Sequence, residues 1–228
     1  MAILDGIREV SAPAIIIKIA LALLLGGILG YERGMKNRPA GFRTYMLVCL
    51  GATIVMMTNQ YIFRFYNGGD IVRMGAQVIS GIGFLGAGTI MVTGRQQIKG
   101  ITTAAGMWTA ACCGLAIGIG FYEGAILGGI TIFFVMSGFN KLEINFRKKS
   151  PIIDIYLEYT STKNLSNFLA EVRNHELEVI SIQMNGNRVS QEGDMCIIMN
   201  IESHVKREHE EVIGIINSID GVQYVEEL

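Results

Sequence analysis

The sequence predicts a polytopic α-helical membrane domain of five transmembrane helices, followed by a small α+β domain of β-α-β-β-α-β order. Three observations carry that expectation. The segment 74–94 holds no charge, and roughly 20 apolar residues at 1.5 Å each cross a hydrocarbon core of ~30 Å. Of 28 glycines, 24 precede Lys141; glycine weakens a soluble helix but lets membrane helices approach closely. Charge reverses at the same place: residues 1–140 hold 10 Lys and Arg against 5 Asp and Glu, and residues 141–228 hold 9 against 15. A mean hydropathy of +0.40, with 50% hydrophobic residues, is high for a soluble chain.

The apolar stretches fall in order. The first covers about 13–30 and is interrupted only by Lys18, which is expected to snorkel to the outer interface. No cleavable leader is expected, so this span doubles as the insertion signal. The second covers 44–63 and the third 74–94. The fourth and fifth share 100–140, with Gly120 and Glu123 marking the turn of a hairpin. Five spans place Arg33, Lys36, Arg38, Arg43, Arg95, Lys99, Lys141, Arg147, Lys148 and Lys149 on one side, against Arg8, Lys18, Arg64 and Arg73 on the other. The positive-inside rule then puts the N-terminus outside and the C-terminal domain in the cytoplasm.

Small-residue packing is expected at Gly26-x-x-x-Gly30, Gly114-x-x-x-Gly118 and Gly124-x-x-x-Gly128, within the bundle or between copies. The third span carries GIGFLGAG, with Gly81, Gly83, Gly86 and Gly88. Gly81-x-Gly83-x-x-Gly86 imitates a dinucleotide-binding turn, but that motif needs a preceding strand and an acid about 20 positions on. The segment 101–106 reads ITTAAG, without an acid. The glycines therefore point to close packing or to a backbone-lined passage. Trp108 is read as packing. Cys49, Cys112, Cys113 and Cys196 are read as reduced thiols, with no Cys-x-x-Cys among them.

Charged and hydroxyl groups gather at the span ends: Glu32, Arg33, Arg43, Asp70, Arg73, Lys99, Thr102 and Thr103. They form the candidate functional cluster, as interfacial anchors or as the lining of an ion or ligand path. Asp70 and Arg73 stand one turn apart and could pair, as could Glu32 and Arg43 across a short loop. Magnesium prefers oxygen ligands, often one or two carboxylates plus water. Glu32 falls on the cytoplasmic side while Asp70 and Glu123 fall outside, so they form no single preformed cage. No resident cofactor is evident.

The domains are drawn as 1–140, a basic linker over 141–150, and 151–228. Alternation at Ile153, Ile155, Leu157 and Tyr159 predicts a strand. Asn164 can cap a helix over about 165–175. Strands follow at 179–184, ended by Asn185-Gly186, and at 195–201; a helix covers 206–219, and Asp220-Gly221 turns into a last strand at 222–225. The order is the ferredoxin-like pattern. With its final helix-Asp-Gly-Val-x-x-Val turn, it resembles an ACT-like regulatory domain. His209, beside Glu208, Glu210 and Glu211, reads as part of a solvated charged helix face, with a metal site as the alternative.

Four strings in the membrane part closely resemble the MgtC/SapB family of bacterial inner-membrane proteins: GYERG at Gly30, RPAGFRTYMLVCLG from Arg38, RMGAQVISGIGFLGAGTIM from Arg73 and KGITTAAGMWTAACCGLAIG from Lys99. The chain departs from the family pattern at Gly34 and Ile71, where a further acid and a proline are usual. The resemblance implies a link to growth at low magnesium and to survival in host phagocytes. It makes a magnesium ion the implied ligand, and regulation of the membrane sector of the F-type ATP synthase an implied role. The chain has no P-loop and no phosphorylated-aspartate motif, so it is not an ATP-driven pump by itself. The expected function is non-enzymatic: a regulator of a membrane partner in magnesium homeostasis, with an ion transporter or channel component as the alternative. A homodimer in the bacterial inner membrane is expected, with no nucleic-acid partner.

Overall fold

The structure, a computed structural model, describes residues 11–36, 38–66, 70, 72–93, 97–147, 150–160, 165–189, 195–205 and 207–228, by backbone alone over 140–147 and 184–189. The chain divides into two compact units, Met1–Asn140 and Lys141–Leu228.

The first unit is built on five helices: α1 (Ala12–Met35), α2 (Phe42–Tyr66), α3 (Arg73–Thr89), α4 (Ile101–Ile119) and α5 (Tyr122–Arg147). α5 runs through most of the segment read as a linker. Among the described residues, four helices are long and apolar enough to cross a membrane: α1, α2, α4 and the Tyr122–Phe139 part of α5. α3 is shorter than the uncharged run that suggested it, with 17 residues and a length of about 25 Å. It stops because the chain turns after Thr89 into a two-stranded hairpin, β1 (Met91–Val92) and β2 (Ile98–Lys99), where the third span was expected to run on to residue 94. Gly100 closes that hairpin at φ 102°, where a Cβ would stand 1.9 Å from the Thr89 carbonyl oxygen. Only glycine permits both the left-handed conformation and that approach. Gly120, at φ 88°, ends α4 in the same left-handed cap and makes the expected hairpin with α5.

α2 is the central helix, packed against both α1 and α4. Two of the three glycine pairs make this possible. Cβ atoms at Gly26 and Gly30 would come within 2.8 Å of the Tyr45 carbonyl oxygen and the Tyr45 Cβ. At Gly114 and Gly118 they would come within 2.3 and 2.6 Å of the Cys49 and Thr53 carbonyl oxygens. The third pair differs: at Gly124 a Cβ would meet only the nearby Phe121 ring, and at Gly128 nothing within 4 Å. Trp108 is 45% exposed rather than packed inside, because it shares no face with Gly106, Ala110 and Gly114, which α4 buries.

The second unit has the expected element order: β3 (Ile152–Tyr159), α6 (Leu165–Asn174), β4 (Leu177–Val189), β5 (Met195–Ser203), α7 (His209–Asn217) and β6 (Val222–Glu227). The four strands form one antiparallel sheet in the order β4-β5-β3-β6. Alternation buries Ile153, Ile155, Leu157 and Tyr159 of β3 with Phe168 and Val172 of α6 and Val212 and Ile216 of α7. β4 runs on through Asn185-Gly186, where a turn was expected; its partner β5 continues the ladder, with Val189 opposite Met195. The proposed cap Asn164 and the proposed helix start Lys206 lie outside the described residues.

On the sheet face away from α6 and α7, Tyr156 donates its hydroxyl to Glu158 Oε1 at 2.9 Å and lies 3.1 Å from Cys196 Sγ. Burial, and then these two neighbours, push the Tyr156 hydroxyl pKa well up. His209 is not on a solvated face. It is buried, with Nδ1 3.1 Å from Glu227 Oε1 and Nε2 2.9 Å from the Ser150 carbonyl oxygen. The ring sits between these two acceptor groups and ties the start of α7 to the segment before β3 and to the end of β6. His209→Ala is expected to lower the stability of this unit by about 1–3 kcal/mol by orphaning these acceptors. Faster hydrogen exchange of the β6 amides in detergent would report it; unchanged exchange would contradict it.

Candidate functional site

The buried charged groups among the described residues of the first unit lie at its two ends. At one end, α1 finishes with Glu32 and Arg33. The Glu32 carboxylate lies 2.8 Å from Arg33 Nε and 2.5 Å from Lys36 Nζ. Arg33 is 5% exposed and donates through Nη2 to the Met136 carbonyl oxygen of α5 at 3.2 Å. Beside it, the buried Tyr45 hydroxyl donates to the Thr103 carbonyl oxygen at 3.1 Å. This end therefore joins α1 to α5 and α2 to α4 by one donor each. Breaking a buried ion pair by removing one partner is costly, so Glu32 is a stability residue first.

At the other end, Lys18 does not snorkel. It is 1% exposed, and its ammonium donates to the Gly118 carbonyl oxygen at 2.9 Å and to Gln60 Oε1 at 3.0 Å. Gln60 Nε2 in turn donates to the Ile119 carbonyl oxygen at 2.8 Å. The last carbonyls of a helix have no intrahelical donor, and Gly120 and Phe121 satisfy only those of Ile117 and Ala116. Lys18 and Gln60 complete that cap from two other helices, and a cation is favourable at a helix C-terminus. Midway, Thr53 Oγ1 lies 2.8 Å from the Cys49 carbonyl oxygen and 2.9 Å from that of Gly114.

The structure does not gather the candidate cluster into one place. Arg33 and Thr103 are buried and Glu32 half-buried at the first end. Arg43, Lys99 and Thr102 are exposed near the same end. Arg43 does not reach Glu32, because Arg33 at the end of α1 and Lys36 just after it already hold the carboxylate. Asp70 and Arg73 stand at the opposite end, both exposed. They do not pair: Asp70 lies before α3, and its Oδ1 accepts the Val72 amide at 3.0 Å. A carboxylate there starts the helix favourably. Among the described residues, no group of three His, Cys, Asp or Glu side chains could hold a metal ion.

Of the glycine-rich string, only Gly86 faces the bundle, with a Cβ position 3.4 Å from Ala104 Cβ. Cβ atoms on Gly81, Gly83 and Gly88 would meet nothing within 4 Å. α3 runs antiparallel to α4, with Gly75 against Leu115 and Gly86 against Ala104. Gly81, Gly83 and Gly88 therefore face away from the described residues of their own unit and line no passage among them. Gly83→Ala is expected to be neutral or stabilising by up to about 1 kcal/mol in the isolated chain, read as melting temperature in detergent; a clear loss would show that the face is covered by another chain.

Sequence reasoning missed Lys36, Tyr45, Gln60 and the inward aim of Lys18. Gln60 alone carried a readable signal, as a polar side chain near the end of an uncharged span.

A bundle with four helices fit to cross a bilayer, followed by a small α/β unit, defines an integral membrane protein. Residues 19–144, over half of the chain, match the model of the MgtC family. The chain belongs to that family. It is 30% identical over 215 residues to YhiD of Escherichia coli K12, a candidate magnesium transporter by its name, covering 92% of this chain and 96% of YhiD. Protein SapB of Bacillus subtilis is 30% identical over 221 residues, covering 92% and 93%. Protein MgtC of Salmonella typhimurium LT2 is 38% identical over 117 residues, 51% of this chain and 48% of MgtC.

Proposed function

We propose that this chain is a non-enzymatic bacterial inner-membrane protein of magnesium homeostasis that regulates a membrane partner, such as the F-type ATP synthase. The observation that carries the reading is the use of the buried polar groups. Lys18 caps α4, Arg33 holds α5, and Glu32 is neutralised by two cations at the end of its own helix, Arg33 within it and Lys36 just past it. Such groups set the architecture of a bundle; they are not arranged around a route. The regulatory ligand would bind the C-terminal unit, which we read as ACT-like. α3, antiparallel to α4, serves as the fifth span, with the N-terminus outside and the C-terminal unit cytoplasmic. The protein acts as a dimer.

Transport is the second reading, supported by the name of the Escherichia coli relative and the 92% of this chain aligned with it. Vesicles loaded with a magnesium indicator discriminate between the two. The regulator reading expects no flux above protein-free vesicles, together with co-purification of ATP synthase subunits from native membranes. Magnesium flux that Asp70→Ala abolishes would establish transport instead. Asp70 is the cleaner probe, because it is exposed while Glu32 is structural.

A further inference from the structure

We infer that the first unit binds one anionic phospholipid in two apolar grooves that flank α1. One groove, of about 510 Å³, lies between α1 and α2, with Gly27, Phe42 and Met46 along it. The other, of about 250 Å³, lies between α1 and α5, with Gly129 and Ile130 along it. Leu24 and Ile28 of α1 and Phe133 of α5 belong to both, so a ridge of these side chains separates two adjoining slots. No charged side chain lines either slot. Two tails joined at one headgroup have this shape.

The charge at one end selects the headgroup. The first groove reaches Tyr31 and Phe42, where α1 ends and α2 begins. Arg38 lies in the connection between these helices, and Arg43 follows Phe42 one turn before Met46. Both side chains are exposed, and among the described residues neither has a carboxylate partner. Two exposed arginines in the segment where the slot ends suit a phosphate with tails running down the helix. A second copy of the chain or another helix would bring side chains to be matched in the slots, and would leave the two guanidinium groups unanswered.

Native mass spectrometry of the full-length, delipidated protein tests this, with phosphatidylglycerol and phosphatidylcholine of equal tail length added at equal concentration. The wild type should retain one phosphatidylglycerol with about a tenfold preference, as two basic contacts allow. The double variant Arg38→Gln/Arg43→Gln, altered only at exposed positions, should bind both lipids equally. Ile28→Trp, which fills the shared ridge, should lose both; Leu24→Trp serves the same purpose if Ile28→Trp does not fold. Equal binding of the two lipids by the wild type would overturn the inference. So would lipid retention unchanged in the ridge variant, or a lipid-free dimer that Ile28→Trp dissociates.

Discussion

Gly114→Leu should leave no folded bundle, while Gly128→Leu should purify and melt like the wild type. Both glycines are the second or first member of an identical-looking Gly-x-x-x-Gly pair, yet their surroundings are opposite. At Gly114 the first added carbon would stand 2.3 Å from the Cys49 carbonyl oxygen and 2.9 Å from Ala52 Cβ. The carbonyl belongs to the backbone of α2 and cannot rotate away. α4 would have to move off the helix that organises the unit, at a cost above the ~3 kcal/mol usual for overpacking. That is a large part of a total stability of ~5–15 kcal/mol. At Gly128 no atom lies within 4 Å. Fluorescence-detected size-exclusion chromatography reads both outcomes. A monodisperse Gly114→Leu, or an aggregated Gly128→Leu in detergent, would contradict the packing described above.

Lys18→Met should lower the melting temperature strongly, and Lys18→Glu more so. Methionine keeps the length and apolar stem of lysine but donates nothing. The Gly118 carbonyl and Gln60 Oε1 would each lose the donor that now reaches them. An orphaned buried acceptor costs about 1–3 kcal/mol, and lipid supplies no replacement. Glutamate adds a like charge to the negative end of the α4 dipole. Trp108 fluorescence during a thermal ramp in detergent would follow the transition. A Lys18→Met protein that melts with the wild type would show that the ammonium does not secure α4.

The parts of the fold that were legible are those set by local pattern. Gly120 between two apolar runs announced a hairpin, because a left-handed glycine ends a helix wherever it occurs. The alternation from Ile153 to Tyr159 announced a strand, because one face of the sheet is buried. The parts that were not legible depend on a distant neighbour. A lysine in an apolar run looks the same whether it reaches water or the open end of another helix. Only the placement of α4 beside α1 decides. His209 is similar: its glutamate neighbours in sequence suggested a wet face, while its partners, Ser150 before β3 and Glu227 on β6, lie outside its own helix. The glycines of α3 failed in a third way. Their composition signals close approach, but they face away from everything else in their own unit.

The cap on α4 also bears on how the chain is made. Lys18 and the carbonyl it serves are 100 residues apart. At roughly 5–20 residues per second, α1 enters the membrane about 5–20 s before its acceptor exists. Through that interval the ammonium lacks its helix-end acceptor and bonds to water, at the surface that a long flexible stem can reach, or to Gln60, which is made earlier. The final position of α1 is therefore reached late, when α4 arrives and draws Lys18 inward. A mutation that leaves the finished bundle intact but delays α4 would act during biosynthesis, lengthening the time that a half-built protein spends exposed to membrane quality control.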